Sequence, residues 1–207
     1  LGKGRDVGLQ VQGRTSGRTL SYNAGLFNGA GEGNPSPSGG HMAVARLSWQ
    51  PLGEFPLSQG DIRPSPAPRA FLDAAAYHSQ DEAGHSLDGT TGLALGAGLK
   101  AAGLYVSAEG IRRQGRTAAD AQGWHAQASY GVLPERLELA LRHAQVDPDL
   151  SAGSDLRTET LAGANLFFAR AGHNLKLTAD VALLTDAARS GDDRNNYRTR
   201  TQFQLVF

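Results

Sequence analysis

The chain has 207 residues with equal numbers of basic and acidic side chains, 20 of each, and no cysteine. The balanced charge argues against nucleic-acid binding, which usually requires a basic surplus. The lack of cysteine excludes disulfides, thiolate metal sites and cysteine nucleophiles. No stretch approaches the roughly 20 apolar residues of a transmembrane helix, and seven Phe, five Tyr and two Trp are few for a large soluble core. A membrane β-barrel accounts for both facts, because only alternate residues of its strands need to be apolar.

Apolar and polar residues alternate with a period of two along most of the chain, which places successive side chains on opposite faces of a strand. The pattern is clearest where Leu137, Leu139 and Leu141 alternate with charged residues. A helix would scatter those charges around its circumference. We predict an all-β, antiparallel transmembrane barrel with about eleven strands in this chain, each near the 9–11 residues that a tilted strand needs to cross a bilayer. The predicted strands are 5–13, 18–27, 41–50, 69–79, 90–100, 103–113, 121–131, 135–146, 156–169, 174–185 and 196–207.

Short and long connections alternate between these strands, as in outer-membrane barrels with short periplasmic turns and long external loops. One connection, 51–68, is rich in proline and lies where a short turn is expected. If Phe207 lies at the periplasmic rim, the first strand begins on the external side. An odd strand count then indicates missing upstream strands. We therefore interpret residues 1–207 as a single barrel domain, N-terminally truncated, of a porin with 16–18 strands.

The chain ends in Gln204-Leu205-Val206-Phe207. A terminal Phe after an alternating strand resembles the signal that the barrel-assembly machinery reads, since a free strand edge can pair with a partner by strand addition. We interpret Phe207 as this assembly signal. The alternative is a soluble protein that happens to end on a strand.

Several short motifs resemble the phosphate-selective porin O and P family. They are Gly4-Arg5-Asp6-Val7-Gly8-Leu9-Gln10-Val11-Gln12-Gly13, Leu20-Ser21-Tyr22-Asn23-Ala24-Gly25-Leu26-Phe27-Asn28-Gly29, Pro51-Leu52-Gly53-Glu54-Phe55-Pro56 with Gln59-Gly60-Asp61, and Gly163-Ala164-Asn165-Leu166-Phe167 with Gly172-His173-Asn174-Leu175-Lys176-Leu177. The third motif is similar to a long connection of that family, which explains the exception at 51–68. The resemblance implies a channel in the Gram-negative outer membrane, in contact with lipid, often a homotrimer, that passes small anions such as phosphate or polyphosphate.

The alternation also predicts a set of cations on the polar, lumen-facing side of the strands. Arginine suits phosphate because its planar donors bind two oxygens at once and stay charged. Carboxylates on the same face give an alternative, in which cross-strand ion pairs brace the wall. The predicted pore-lining cations are Arg46, Arg113, Arg136, Arg142, Arg157, Lys176, Arg198 and Arg200. The opposing carboxylates are Asp6, Asp73, Glu109, Glu138, Glu159 and Asp180.

Aromatic residues near strand ends predict the girdles of a membrane barrel; they are Trp49, Trp124, Tyr130, Phe203 and Phe207, whereas Phe167 falls on the inward face. The six histidines lie on separate elements without paired spacing, so we predict neither a metal site nor a cofactor. Nothing places a nucleophile beside a base, and no enzyme is predicted. The leading interpretation is a passive porin. The alternatives are a non-conducting structural or adhesive barrel and a soluble all-β binding protein.

Overall fold

The computed structural model describes residues 6–29, 40–56, 58, 60–80, 89–115, 119–153, 155–168, 174–189 and 195–206. They form one antiparallel sheet of eleven strands, and each strand pairs with the next in the chain. The strands are β1 Gly8–Arg14, β2 Leu20–Phe27, β3 Met42–Trp49, β4 Arg69–Ser79, β5 Thr91–Ala101, β6 Leu104–Gln114, β7 Ala121–Leu133, β8 Leu137–Asp147, β9 Arg157–Phe167, β10 Leu175–Asp186 and β11 Asn195–Leu205. Within the described residues, β1 and β11 each pair on one side only, so both are edge strands. No helix in this part of the chain is long and apolar enough to cross a membrane.

The predicted all-β fold with eleven strands is confirmed, and most boundaries agree within two residues. β1 begins at Gly8, three residues later than predicted, and the turn between β7 and β8 differs by two residues on each side. β7 continues to Leu133, with a register shift between Gly131 and Leu133, and β8 begins only at Leu137. Glu135 adopts a positive φ of 59°, which closes a short turn over 134–136. The β5–β6 turn is shorter still: Ala102 and Gly103 both have positive φ, as a two-residue type I′ hairpin requires.

One face of the sheet, which we call the outer face, carries a continuous set of exposed apolar side chains. They range from 38% exposed at Leu104 to 79% at Tyr197. Soluble proteins rarely expose apolar patches of this extent, so such a surface indicates contact with another apolar phase. The set includes Leu9, Val11, Leu26, Leu47, Leu72, Leu93, Leu95, Leu99, Val106, Leu139, Leu141, Leu166, Val181, Leu183 and Leu205.

The opposite face, which we call the inner face, is polar but contains aromatic rings seated on glycines. Phe71 lies across from Gly98, and Tyr77 lies across from Gly92, in the β4–β5 pairing. A Cβ built at either glycine would overlap the facing ring. Glycine is therefore needed where an aromatic side chain lies flat over the neighbouring strand. This close packing accounts for part of the high glycine content.

The connections divide into two rims. The turns after β1, β5 and β7 lie at one end of the strands, the short-turn rim, together with the long connection between β3 and β4. The opposite rim carries the connections after the even-numbered strands. In one of these, the hydroxyl and amide of Ser151 donate hydrogen bonds to Asp149, which hold the pKa of Asp149 below its usual range.

Candidate functional site

The long connection between β3 and β4, residues 50–68, lies across the short-turn rim, and we call it the strap. At one end, Glu54 lies 3.6 Å from Arg14 and 3.4 Å from Arg18 at the β1–β2 turn. At the other end, the carbonyl of Ile62 accepts a hydrogen bond from the amide of Glu135 in the β7–β8 turn. The described part of the strap therefore reaches from the first short turn to the turn after β7.

A buried charged cluster fixes the strap to the wall. Lys100, at the end of β5, is fully buried and donates hydrogen bonds to the carbonyls of Pro56 and Ser58 and to the Ser58 hydroxyl. The Asp61 carboxylate accepts hydrogen bonds from the amides of Gly103 and Ser65, at 2.8 and 2.9 Å. Buried charges persist only when they are paired and hydrogen-bonded, and the strap supplies most of the partners of Lys100.

Glu138 completes this cluster from β8. It is 1% exposed and accepts hydrogen bonds from Ser129 and Asn165, at 2.8 and 2.9 Å. A Cβ at Gly60 of the strap would overlap its carboxylate. The backbone of the strap thus lies directly on a buried carboxylate whose two oxygens are already bound to the wall, and only glycine fits at that point.

The strap also contributes an aromatic side chain to the inner face. Phe55 is 7% exposed and meets Phe71 edge to face at a ring distance of 4.8 Å, with Tyr105 at 6.4 Å. The Lys100 ammonium lies 5.0 Å from the centre of the Phe55 ring. Its position over the ring adds a cation–π contact. Apolar packing and buried charge therefore hold the same segment in place.

Most of the predicted pore-lining cations do lie on the inner face, but many of them are ion-paired. Arg46 lies 2.6 Å from Asp73 on the neighbouring strand. Arg200 lies 2.9 Å from Asp180, its register partner. The other pairs are Arg198 with Glu159 at 2.8 Å, which spans β10, and Arg157 with Asp186 at 3.5 Å. These four arginines therefore match the alternative in which cross-strand ion pairs brace the barrel wall.

The remaining candidates divide into three groups. Arg142 and Lys176 point to the inner face, opposite Gln127 and Phe167 in register, and no ion pair with another described residue is present. Arg113 donates to the carbonyl of Ala119. Arg136 lies in the turn before β8, where its carbonyl accepts a hydrogen bond from the Phe167 amide, and its lumen-facing position stays a prediction. Phe207 lies outside the described residues.

The predicted carboxylates also have defined positions. Asp73, Glu109, Glu138, Glu159 and Asp180 occupy inner positions by register. Asp6 precedes β1, and its carboxylate accepts a hydrogen bond from the Gly29 amide. Among the described residues, no three His, Asp or Glu side chains are arranged to hold a metal ion.

Lys100 and Asp61 were not among the sequence candidates. Lys100 follows the alternation of β5, on the face opposite Leu95 and Leu99, so its inward position was readable. Its role in holding the strap could not be read from β5 alone. The sequence feature that pointed to the strap was the length of the connection at 51–68, where a short turn was expected.

Aromatic side chains mark both edges of the apolar outer band. Trp49, Tyr130 and Phe203 lie toward the short-turn rim and Trp124 toward the opposite rim, all exposed on the outer face. Six residues separate Trp124 from Tyr130, or about 20 Å along an extended strand. Beyond Trp124 the outer positions are polar, with Gln122 opposite Asp147 in register. The His143 ring lies against the Trp124 indole at a distance of 5.3 Å. These four residues lie on the outer face, as the alternation predicts; their role as a girdle stays a prediction.

The space between the strap and strands β1–β4 and β6 contains a cavity of about 670 Å³, and a second cavity of about 380 Å³ lies along the inner face of β3–β7. Arg46, Phe71, Asp73 and Tyr105 line both of them, so the cavities adjoin. Small inner-face residues, Ala75, Ala94 and Gly96, line the smaller one. Polar space therefore continues along the wall from the strap toward the opposite rim.

Comparison with known proteins supports the architecture. No family model matches the chain, and no curated protein matches it. A crystal structure of a variant of OccD1 (OprD), a porin β-barrel, is similar, with a TM-score of 0.50 and 14% identity over 95% of this chain and 68% of that chain. The chain has a porin-like β-barrel fold. At this identity the likeness concerns the fold alone.

Proposed function

We propose that the protein is an outer-membrane channel through which small polar solutes diffuse passively. The observation that carries the proposal is the division of one sheet into two surfaces. The outer face exposes an apolar band edged by aromatic residues, which suits lipid. The inner face is polar and ion-paired, which suits a water-filled lumen. The porin-like fold agrees with this division.

We further propose that strands outside this chain complete the barrel. Open sheet edges are not stable in a bilayer, because their backbone polar groups have no partners there. The described parts of β1 and β11 present such edges. A barrel of 16–18 strands, as predicted above, would cover both.

Small anions such as phosphate are a second, finer candidate for the solute. The resemblance of the motifs to phosphate-selective porins supports it, as do Arg142 and Lys176 on the inner face. The four arginines paired with carboxylates count against strong anion selection in this part of the wall, because a close ion pair presents little net charge to a passing ion.

Planar-bilayer recording tests the channel. Purified protein that includes the strands completing the barrel should give discrete current steps. Lys100→Met should enlarge them or make them fluctuate, because the strap loses its charge-assisted hydrogen bonds, each of which is worth about 1.5–3 kcal/mol. Lys176→Met is the matched control, since it also removes an inward lysine but lies on β10, away from the strap contacts.

Folded, inserted protein without current steps would favour the non-conducting barrel. Wild-type steps in Lys100→Met, with the protein folded, would show that the strap does not narrow the current path.

A further inference from the structure

The larger cavity beside the strap has the composition of a ligand site. Its volume of about 670 Å³ lies within the range of small-molecule pockets, roughly 300–1,000 Å³. One side is aromatic, formed by Phe55, Phe71 and Tyr105. The facing side carries neutral hydrogen-bonding groups and two arginines that are each paired with a carboxylate, Arg46 with Asp73 and Arg14 with Glu54. Neither pure diffusion nor bracing of the wall requires these two surfaces to face each other.

The neutral groups are available for a solute. Ser21, Asn23 and Ser48 line the cavity on β2 and β3, and within the described residues their side chains hydrogen-bond no other side chain. Gln12 lines the same side from β1 and has only a long bond of 3.4 Å from Gln10. Amides and hydroxyls both donate and accept. The cavity therefore offers donors and acceptors side by side.

The Arg46–Asp73 ion pair argues against a charged solute. Arg46 and Asp73 are 2.6 Å apart, so an anion that approaches Arg46 also meets the carboxylate. A zwitterion would have to separate the pair to use both charges. A hydroxyl group can donate to Asp73 or accept from Arg46 while the pair stays intact.

Asp73 provides an independent indication. Its Oδ1 atom is buried and has no hydrogen-bond partner among the described residues. Buried acceptors in native proteins are usually satisfied. A hydroxyl donor from a bound solute that reaches this oxygen would satisfy it.

We propose that this cavity binds a small, uncharged, polyhydroxylated solute of the saccharide class. Its hydroxyl groups would bond to the facing side, and its C–H face would pack on the aromatic side. This inference rests on the proposed channel for its physiological meaning, because it names the solute class of that channel. Binding itself is measurable without conduction.

Maltose is the probe. Isothermal titration calorimetry in a detergent without a sugar headgroup should detect maltose binding, and maltose should reduce the current in bilayers with rising concentration. Asn23→Ala should weaken binding about fivefold, as expected for the loss of one hydrogen bond. Gln202→Ala, an inner-face amide on β11 away from the cavity, should leave binding unchanged. Inorganic phosphate, as the anion, and free glycine, as the zwitterion, should both bind more weakly than maltose at the same concentrations.

The two proposals fail in different ways. Current steps with neither maltose binding nor maltose block would overturn the saccharide site and leave the channel standing. Maltose binding to a protein that gives no current would support the saccharide site and overturn the channel. Tighter binding of phosphate or glycine than of maltose would also overturn the saccharide assignment.

Discussion

The Arg46–Asp73 pair makes a quantitative prediction about ion selectivity. Asp73→Asn removes the carboxylate but keeps the side-chain shape, so Arg46 faces the lumen with an uncompensated charge. For an ion 5 Å from that charge in water, the Coulomb energy is about 0.8 kcal/mol. Screening over a Debye length of about 8 Å at physiological salt reduces it to about 0.4 kcal/mol. Anions then become about twofold more concentrated and cations about twofold less, which changes the anion-to-cation ratio about fourfold.

Reversal potentials in a salt gradient measure this ratio. In Asp73→Asn the potential should shift toward anion preference. Near 1 M salt the ratio should change by less than about twofold, because the Debye length falls to about 3 Å. Arg46→Gln/Asp73→Asn is the control and should return to the wild-type ratio, since it removes both charges. An unchanged reversal potential in Asp73→Asn at every ionic strength would refute the placement of this pair at a narrow part of the current path.

Three further predictions concern the faces, the strap and assembly. Leu141→Arg should impair membrane insertion far more than Arg142→Leu, because Leu141 lies on the lipid face between the aromatic edges of the band and an arginine near the midplane costs about 2–4 kcal/mol; equal insertion of both variants would contradict the assigned faces. Gly60→Ala should displace the strap from Glu138 and increase both conductance and proteolysis within the strap, and a protease pattern like that of the wild type would count against the close contact. Deletion of Phe207 should lower the yield of heat-modifiable, folded barrel in cells, whereas normal yield would remove its role as an assembly signal.

The strands and their faces were predictable from sequence because a period of two depends only on neighbouring residues. Leu47, Leu95 and Leu139 needed no knowledge of the register to be placed on one face. Boundaries were less predictable where a turn has unusual backbone geometry. The positive φ of Glu135 and the register shift near Gly131 moved the start of β8. Arg136 therefore lies in the turn and not within the strand.

The ion-pair partner of each charged residue was less predictable than the face of the sheet on which the residue lies. Alternation places Arg46 and Asp73 on the same face, but their contact depends on the register of β3 and β4, in which Arg46 lies opposite Ala75. Arg198 reaches Glu159 across a whole strand, past the small side chain of Ala182. Such diagonal contacts need the pairing of three strands at once. The sequence is therefore compatible with free pore-lining arginines and with arginines in cross-strand ion pairs. Only the strand register distinguishes the two arrangements.

The position of the strap could not be predicted from its own sequence. Its length and prolines marked it as an exception, yet nothing in residues 50–68 alone says that it lies on the inner face. That position depends on partners far away in the chain: Lys100 is 42 residues from Ser58, and Gly103 is 42 residues from Asp61. Each group is costly to bury by itself, and each becomes stable only when the other is present. The same reciprocity predicts that changes on either side, at Gly60 or at Lys100, release the strap together with the cavity that it closes.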